Sequence, residues 1–208
     1  MYTLFFSPGA CSLASHIALA ESGLPYAVRR VRFGDDEQRS PDYLKLNPNG
    51  RVPVLVTDSG PLVETPAILA FIAQMAPEAR LAPLDDPFQF ARMQGFNSFI
   101  ASSLHVAYAH KRRGYRWADD PAALDAMKQK VVPNMRMYFG MIEKDYLAGP
   151  FVLGEAYSVA DPYLFTMTDW LEGLGIEVAE FPNVADHYRR MKERPAVRKA
   201  LQEERGAA

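Results

Sequence analysis

Apolar and polar positions divide this chain into two regimes that meet near residue 80. In the first, short apolar runs alternate with short helical patterns. Tyr2-Thr3-Leu4-Phe5-Phe6 is a compact apolar and aromatic run and predicts a strand. A turn, Ser7-Pro8-Gly9-Ala10, follows. Leu13, Ile17 and Ala20 then recur at helical spacing with Ala14 and Ala18 beside them, and Gly23 followed by Pro25 marks the stop. Residues 26–33 read as a second strand, with Val28 and Val31 among arginines. Residues 42–46 read as a short helix ended by Asn47-Pro48-Asn49-Gly50. Residues 52–56 predict a strand, Asp58-Ser59-Gly60 a turn, and residues 61–63 a short returning strand. From Pro66 onward, Ile68, Leu69, Ile72 and Met75 keep helical spacing. The predicted order is βαβαββα.

The second regime is all helical. Pro77, Pro83 and Pro87 surround Leu84-Asp85-Asp86 and predict a linker, which divides the chain into domains of 1–78 and 88–208 joined by residues 79–87. Leu124, Met127, Val131, Met135, Tyr138, Ile142 and Tyr146 recur every three or four positions, as one face of a long helix requires. Ser158 and Asp161 have capping-box spacing: the serine accepts from the N3 amide and the aspartate reaches back to the N-cap amide. That pair is a folding device, and Asp169 and Trp170 further along the same helix read as packing or surface. Of Phe96, Phe99, Tyr108, Tyr115 and Trp117, helical spacing places about half in the core.

Composition narrows the function classes. With 208 residues, 49% hydrophobic and 23% charged, the chain buries a sizeable core without a disulfide or metal. A single cysteine forms no internal disulfide and gives no sign of an oxidising compartment. The N-terminus lacks a basic segment and a small-residue cleavage site, and no apolar run approaches about 18 residues, so neither a secretory signal nor a membrane span is expected. The expected location is the cytoplasm. A net charge of -2 argues against nucleic acid. The short basic cluster Lys111-Arg112-Arg113 reads as a solvated helix end.

Candidate chemistry gathers in the first regime. Cys11 follows a strand and a Pro-Gly turn, which puts it at a helix start, where free amides and the dipole favour a thiolate. The same position also suits a small buried hydrophobe. Ala14 stands where a dithiol motif would carry its second cysteine, so that chemistry is excluded within the motif. Ser12 either caps the helix or hydrogen-bonds an incoming thiolate. A cis bond at Val52-Pro53 would turn the Val52 amide and carbonyl outward, to pair with an extended peptide as an added strand. Glu64-Thr65-Pro66 reads as a helix start with Thr65 as N-cap and Pro66 at N1: an anion site at the amides, with Glu64 beside it for an ammonium.

In this order, the motifs resemble those of cytosolic glutathione S-transferases. "SPGACSLASHIALAESG" is similar to the helix start of the bacterial beta class, "NPNGRVPVL" to the cis-proline segment, and "ETPAILAFIA" to the helix that holds the γ-glutamyl end of glutathione. "SVADPYLFTMTDW" resembles the family's capping box and hydrophobic staple. The resemblance covers essentially the whole chain. It implies a thioredoxin-like α/β domain followed by an all-α bundle, glutathione as co-substrate without metal, a small hydrophobic electrophile and a homodimer. It implies that Val52 and Pro53 pair with the cysteinyl residue, that Glu64 and Thr65 take the γ-glutamyl charges, and that Arg51 meets the glycyl carboxylate. Cys11, Ser12 and His105 would serve the thiol, and Phe6 and Tyr108 would border the electrophile. Phe6 stands where many members carry a tyrosine, which excludes a tyrosine mechanism there. Ser98 and Val106 replace an asparagine and a lysine common in the class, with Asn97 turned about 100° from Ser98. Two other readings stay open: a reductase or peroxidase working through a Cys11 mixed disulfide, and a non-enzymatic binding paralogue.

Overall fold

Strand β1 (Tyr2–Phe6) lies inside a four-stranded sheet of order β2-β1-β3-β4. It pairs in parallel with β2 (Tyr26–Arg30) and antiparallel with β3 (Val54–Thr57), which pairs antiparallel with β4 (Gly60–Val63). The coordinates are a computed structural model that describes residues 1–147 and 149–206; the last two residues of the expected helical domain lie outside them. Helices α1 (Ser12–Ser22), α2 (Pro41–Leu46) and α3 (Thr65–Met75) complete the βαβαββα order that the sequence predicts.

Three boundaries differ from expectation, each for a local reason. β2 stops at Arg30 rather than Phe33, because its partner ends: the last register pair is Phe6 with Arg30. Phe33–Asp35 then forms a 3₁₀ turn. β3 starts at Val54 rather than Val52, since Pro53 has no N–H to give to a ladder. At α3 the N-cap is Glu64 and not Thr65, which is already the first helical residue.

The second half is helical. α4 (Pro87–Phe99) passes through a π-helical stretch, Ile100–Leu104, into α5 (His105–Arg113). α6 (Pro121–Met141) ends in a second π-helical stretch, Ile142–Tyr146. α7 (Ala160–Asp169), α8 (Pro182–Glu193) and α9 (Pro195–Gly206) follow. Asp86 caps α4 and Pro87 opens it, so the expected linker ends one residue inside a helix.

α1 joins the two halves. Its residues from Ser12 to Leu19 are all buried, because neighbours cover it on more than one side. Ala14 and Ala18 belong to the core shared with α3, while Leu13 and Ile17 pack with Phe165 of α7, Met191 of α8 and Val197 and Ala200 of α9. A helix apolar nearly all round belongs in such a place.

Asp161 does more than the capping box requires. Its Oδ2 accepts from the Ser158 amide at 2.8 Å and hydroxyl at 3.3 Å, and its Oδ1 accepts from the Val152 amide at 2.8 Å and lies 3.1 Å from Nε2 of buried His187. The Ser158 hydroxyl accepts from the Ala160 amide rather than from the expected N3 amide.

Gly50 ends the turn that leads to Arg51. Its φ is +59°, and a Cβ there would stand 2.9 Å from the Gln38 carbonyl oxygen. Gly50→Ala is therefore expected to cost about 1–2 kcal/mol, read as a lower urea midpoint. An unchanged midpoint would mean that the Gln38 segment yields freely.

Candidate active site

Three segments of the first domain and helix α5 of the second, with Arg39, Arg116, Tyr163 and Trp170 beside them, line a cavity of about 680 Å³. The first segment is the loop after β1. Its turn is closed by the Ser7 carbonyl, which accepts from the Ala10 amide at 3.0 Å, and Gly9 adopts φ +68°. The second domain holds this loop from both sides of Gly9. Its amide donates to Oε2 of buried Glu204 in α9 at 3.2 Å, and its carbonyl accepts from Nε1 of Trp170 at 2.9 Å.

Cys11 lies at the N-cap of α1, on the cavity wall and 8% exposed. Its Sγ donates to the Val52 carbonyl at 3.4 Å. Burial pushes the thiol above its ordinary value, against hydrogen bonding with Thr65 and the charge of Arg113, while Glu64 adds to the rise. The helix-start expectation of a lowered thiol is thus overturned, because desolvation outweighs the favourable partners.

Ser12 does not reach the cavity wall. Fully buried, its hydroxyl donates to the Ser7 carbonyl at 3.3 Å and accepts from the Ser7 amide at 3.2 Å, tying the loop to the helix. Its expected place beside the reacting sulfur is corrected accordingly. Phe6 is corrected too: it is 0% exposed, belongs to the core, and tilts against His16 at 5.7 Å, so it borders no substrate.

The second segment carries Arg51, Val52 and Pro53, all on the wall. The Val52–Pro53 bond is cis. The Arg51 carbonyl is fixed by the Tyr43 hydroxyl and the Asn47 amide, both at 2.8 Å. The third segment is the start of α3. Glu64 is exposed at φ 70° and ψ 119°, its side chain capping nothing. A glutamate in that region is strained, and such strain persists where surrounding structure enforces it, often at a functional site. Thr65, 5% exposed, stands by the Cys11 thiol and the Tyr163 hydroxyl.

α5 closes the cavity from the second domain with His105, Val106 and Tyr108. His105 meets the edge of Trp170 at 5.1 Å, and Tyr108 stacks on the same indole at 4.4 Å and 25°. Burial, then the charges of Arg113, Arg51 and Arg116, lower the His105 imidazole to about 4, so it is neutral at pH 7. Ser98 is exposed and Asn97 buried, as their spacing predicts, and neither lines the cavity.

Two groups lining the cavity were read otherwise in the sequence. Trp170 is packing, but it is also the surface on which His105 and Tyr108 rest. Lys111, Arg112 and Arg113 are no mere solvated helix end, since all three line the cavity together with Arg116. Among the described residues no group of histidine, cysteine and carboxylate side chains could hold a metal, and no helix is long and apolar enough to cross a membrane.

Known proteins resemble this chain in sequence and fold. Residues 1–74 match the family described as "Glutathione S-transferase, N-terminal domain", and residues 96–195 match "Glutathione S-transferase, C-terminal domain". Glutathione S-transferase GstA of Escherichia coli O157:H7 is 32% identical over 97% of this chain and 98% of its own length. A glutathione transferase homologue from Sulfitobacter, solved with bound glutathione, superposes with a TM-score of 0.94 at 42% identity over 100% of this chain and 99% of that one. A bacterial beta-class glutathione S-transferase from Sphingomonas chungbukensis gives 0.84 at 37% identity over 97% and 98%.

Proposed function

Because the chain belongs to the glutathione S-transferase family, both of whose domains it matches in order, we propose that it adds the thiolate of glutathione to a small hydrophobic electrophile. The observation that carries this reading is the convergence of Cys11, Arg51, Val52, Glu64, Thr65 and Arg113 on one cavity. Those groups suit the tripeptide. Val52 offers backbone for an extended peptide. Glu64 suits the ammonium group, and Thr65 with the first amides of α3 suits the neighbouring carboxylate. Arg51 suits the glycyl carboxylate.

The sulfur then belongs beside Cys11. A thiol held above its ordinary value stays protonated at pH 7, so Cys11 acts as a donor toward an incoming thiolate rather than as a thiolate itself. Arg113, whose charge already reaches Cys11, favours the anion, and His105, neutral at pH 7, lines the same cavity. Tyr108 offers an aromatic wall to the electrophile. The homodimer implied by the resemblance is part of the same proposal.

Titration calorimetry with reduced glutathione tests this reading. Saturable binding at or below low millimolar concentration is expected, weakened about tenfold (about 1.4 kcal/mol) by Glu64→Gln. No binding would overturn the transferase reading in favour of a non-enzymatic paralogue. A second reading has one observation in its favour: Cys11 Sγ faces the cavity, so a mixed disulfide with glutathione is within reach. Cys11→Ser separates the two. Retained conjugation with lost disulfide reduction supports the roles given above, and equal loss of both overturns them.

A further inference from the structure

The cavity wall is strongly unbalanced in charge. Arg39, Arg51, Lys111, Arg112, Arg113 and Arg116 line it against a single carboxylate, Glu64. Arg39 leans on Asp36 at 4.0 Å. Among the described residues, the other five have no carboxylate within ion-pairing distance. Burial and then the charges of Arg51 and Arg113 lower the Arg116 guanidinium from its ordinary value, which marks like charges crowded together.

Glutathione does not use them all. On the transferase reading, Arg51 meets its glycyl carboxylate and Arg113 its sulfur. Arg112 and Arg116 are left, with Lys111, whose Nζ donates to the Gly173 carbonyl and lies 5.9 Å from the Tyr108 ring. Cations at the end of α5 do complement the helix dipole. That effect does not explain Arg116, which lies beyond the helix, nor why the charges line a cavity with an aromatic wall.

We propose that the electrophile is itself an anion: an aromatic body that packs on the Tyr108–Trp170 stack and carries a carboxylate held by Arg112 and Arg116. This refines the transferase reading and rests on it. The chemistry is unchanged by the carboxylate. The thiolate sulfur gives a lone pair to the electrophilic carbon, the carbon–sulfur bond forms, and the leaving group departs with the electron pair of its own bond.

The test uses 4-chloro-3-nitrobenzoate and its methyl ester, which present the same reacting carbon with and without the charge. Each rate is divided by that of the uncatalysed reaction with glutathione at the same pH. The normalised kcat/KM of the acid is expected to exceed that of the ester about tenfold, as one charge-assisted hydrogen bond supplies. Arg112→Gln combined with Arg116→Gln brings the ratio close to one. Raising the salt to about 0.5 M lowers it in the unchanged protein, since exposed charges are screened, which keeps the test independent of the variant's folding. A ratio at or below one with the ester still turned over overturns this inference alone. A high ratio that survives both substitutions overturns the assignment to Arg112 and Arg116. Turnover of neither compound with glutathione binding intact overturns this inference alone, and absence of glutathione binding overturns the transferase reading with it.

Discussion

Asp161→Ala is expected to lower the unfolding free energy by about 3–5 kcal/mol. The carboxylate is fully buried and serves four polar groups: the Ser158 amide and hydroxyl, the Val152 amide and the His187 ring. Alanine leaves the Val152 and Ser158 amides and the His187 ring in the interior without that partner, and each orphaned group costs its desolvation. For a chain of this length the loss corresponds to a fall of roughly 10 °C in Tm. Asp161→Asn keeps an acceptor oxygen and should lose less. Differential scanning calorimetry of the three proteins decides, and an alanine variant melting within about 2 °C of the parent would mean that water enters and replaces the carboxylate.

Acidification from pH 6.5 to 5 is expected to cost about 2 kcal/mol of stability through His105 alone. The sign follows from its depressed value in the fold, about 4 against an ordinary 6.5. Below pH 6.5 the unfolded chain takes up a proton that the folded imidazole refuses, held neutral by burial and by Arg113, Arg51 and Arg116. Stability is therefore undiminished above pH 6.5 and falls as the pH drops toward 4. Urea unfolding at several pH values, compared with His105→Gln, isolates this contribution, since the variant has no ring to titrate. Parallel stability profiles for the two proteins would show that His105 is not held neutral by its surroundings.

Much of this molecule was legible in its sequence because the signals were local. Gly23 with Pro25 stops α1 where expected, and the left-handed Gly23 is the reason. The βαβαββα order follows from short runs and turns, and the cavity-lining positions Cys11, Arg51, Val52, Glu64, Thr65 and His105 lie in motifs whose spacing is fixed by their own segments. What stayed hidden depends on how distant parts meet. Ser12 was read as facing the sulfur, yet its direction is set by a loop that folds back on Ser7. The raised thiol of Cys11 comes first from burial, which depends on segments far along the chain such as the one bearing Val52. The basic cluster at the end of α5 was read as a solvated helix end because a short charge run usually is one. That all three of its residues line the cavity depends on how α5 meets the first domain. Glu64 was taken as the residue before the cap because nothing in its identity announces a positive φ.

The two hydrogen bonds on Gly9 also set an order of events during synthesis. The loop bearing Cys11 is made well before Trp170 and Glu204, which fix the carbonyl and the amide of Gly9 and leave the ribosome 161 and 195 positions after it. The first domain can pair its strands well before then, but the loop receives its final tether only with α9. Competence of this site is thus deferred until α9 has been made, and a nascent chain halted before that helix would carry the motif without the grip that shapes it.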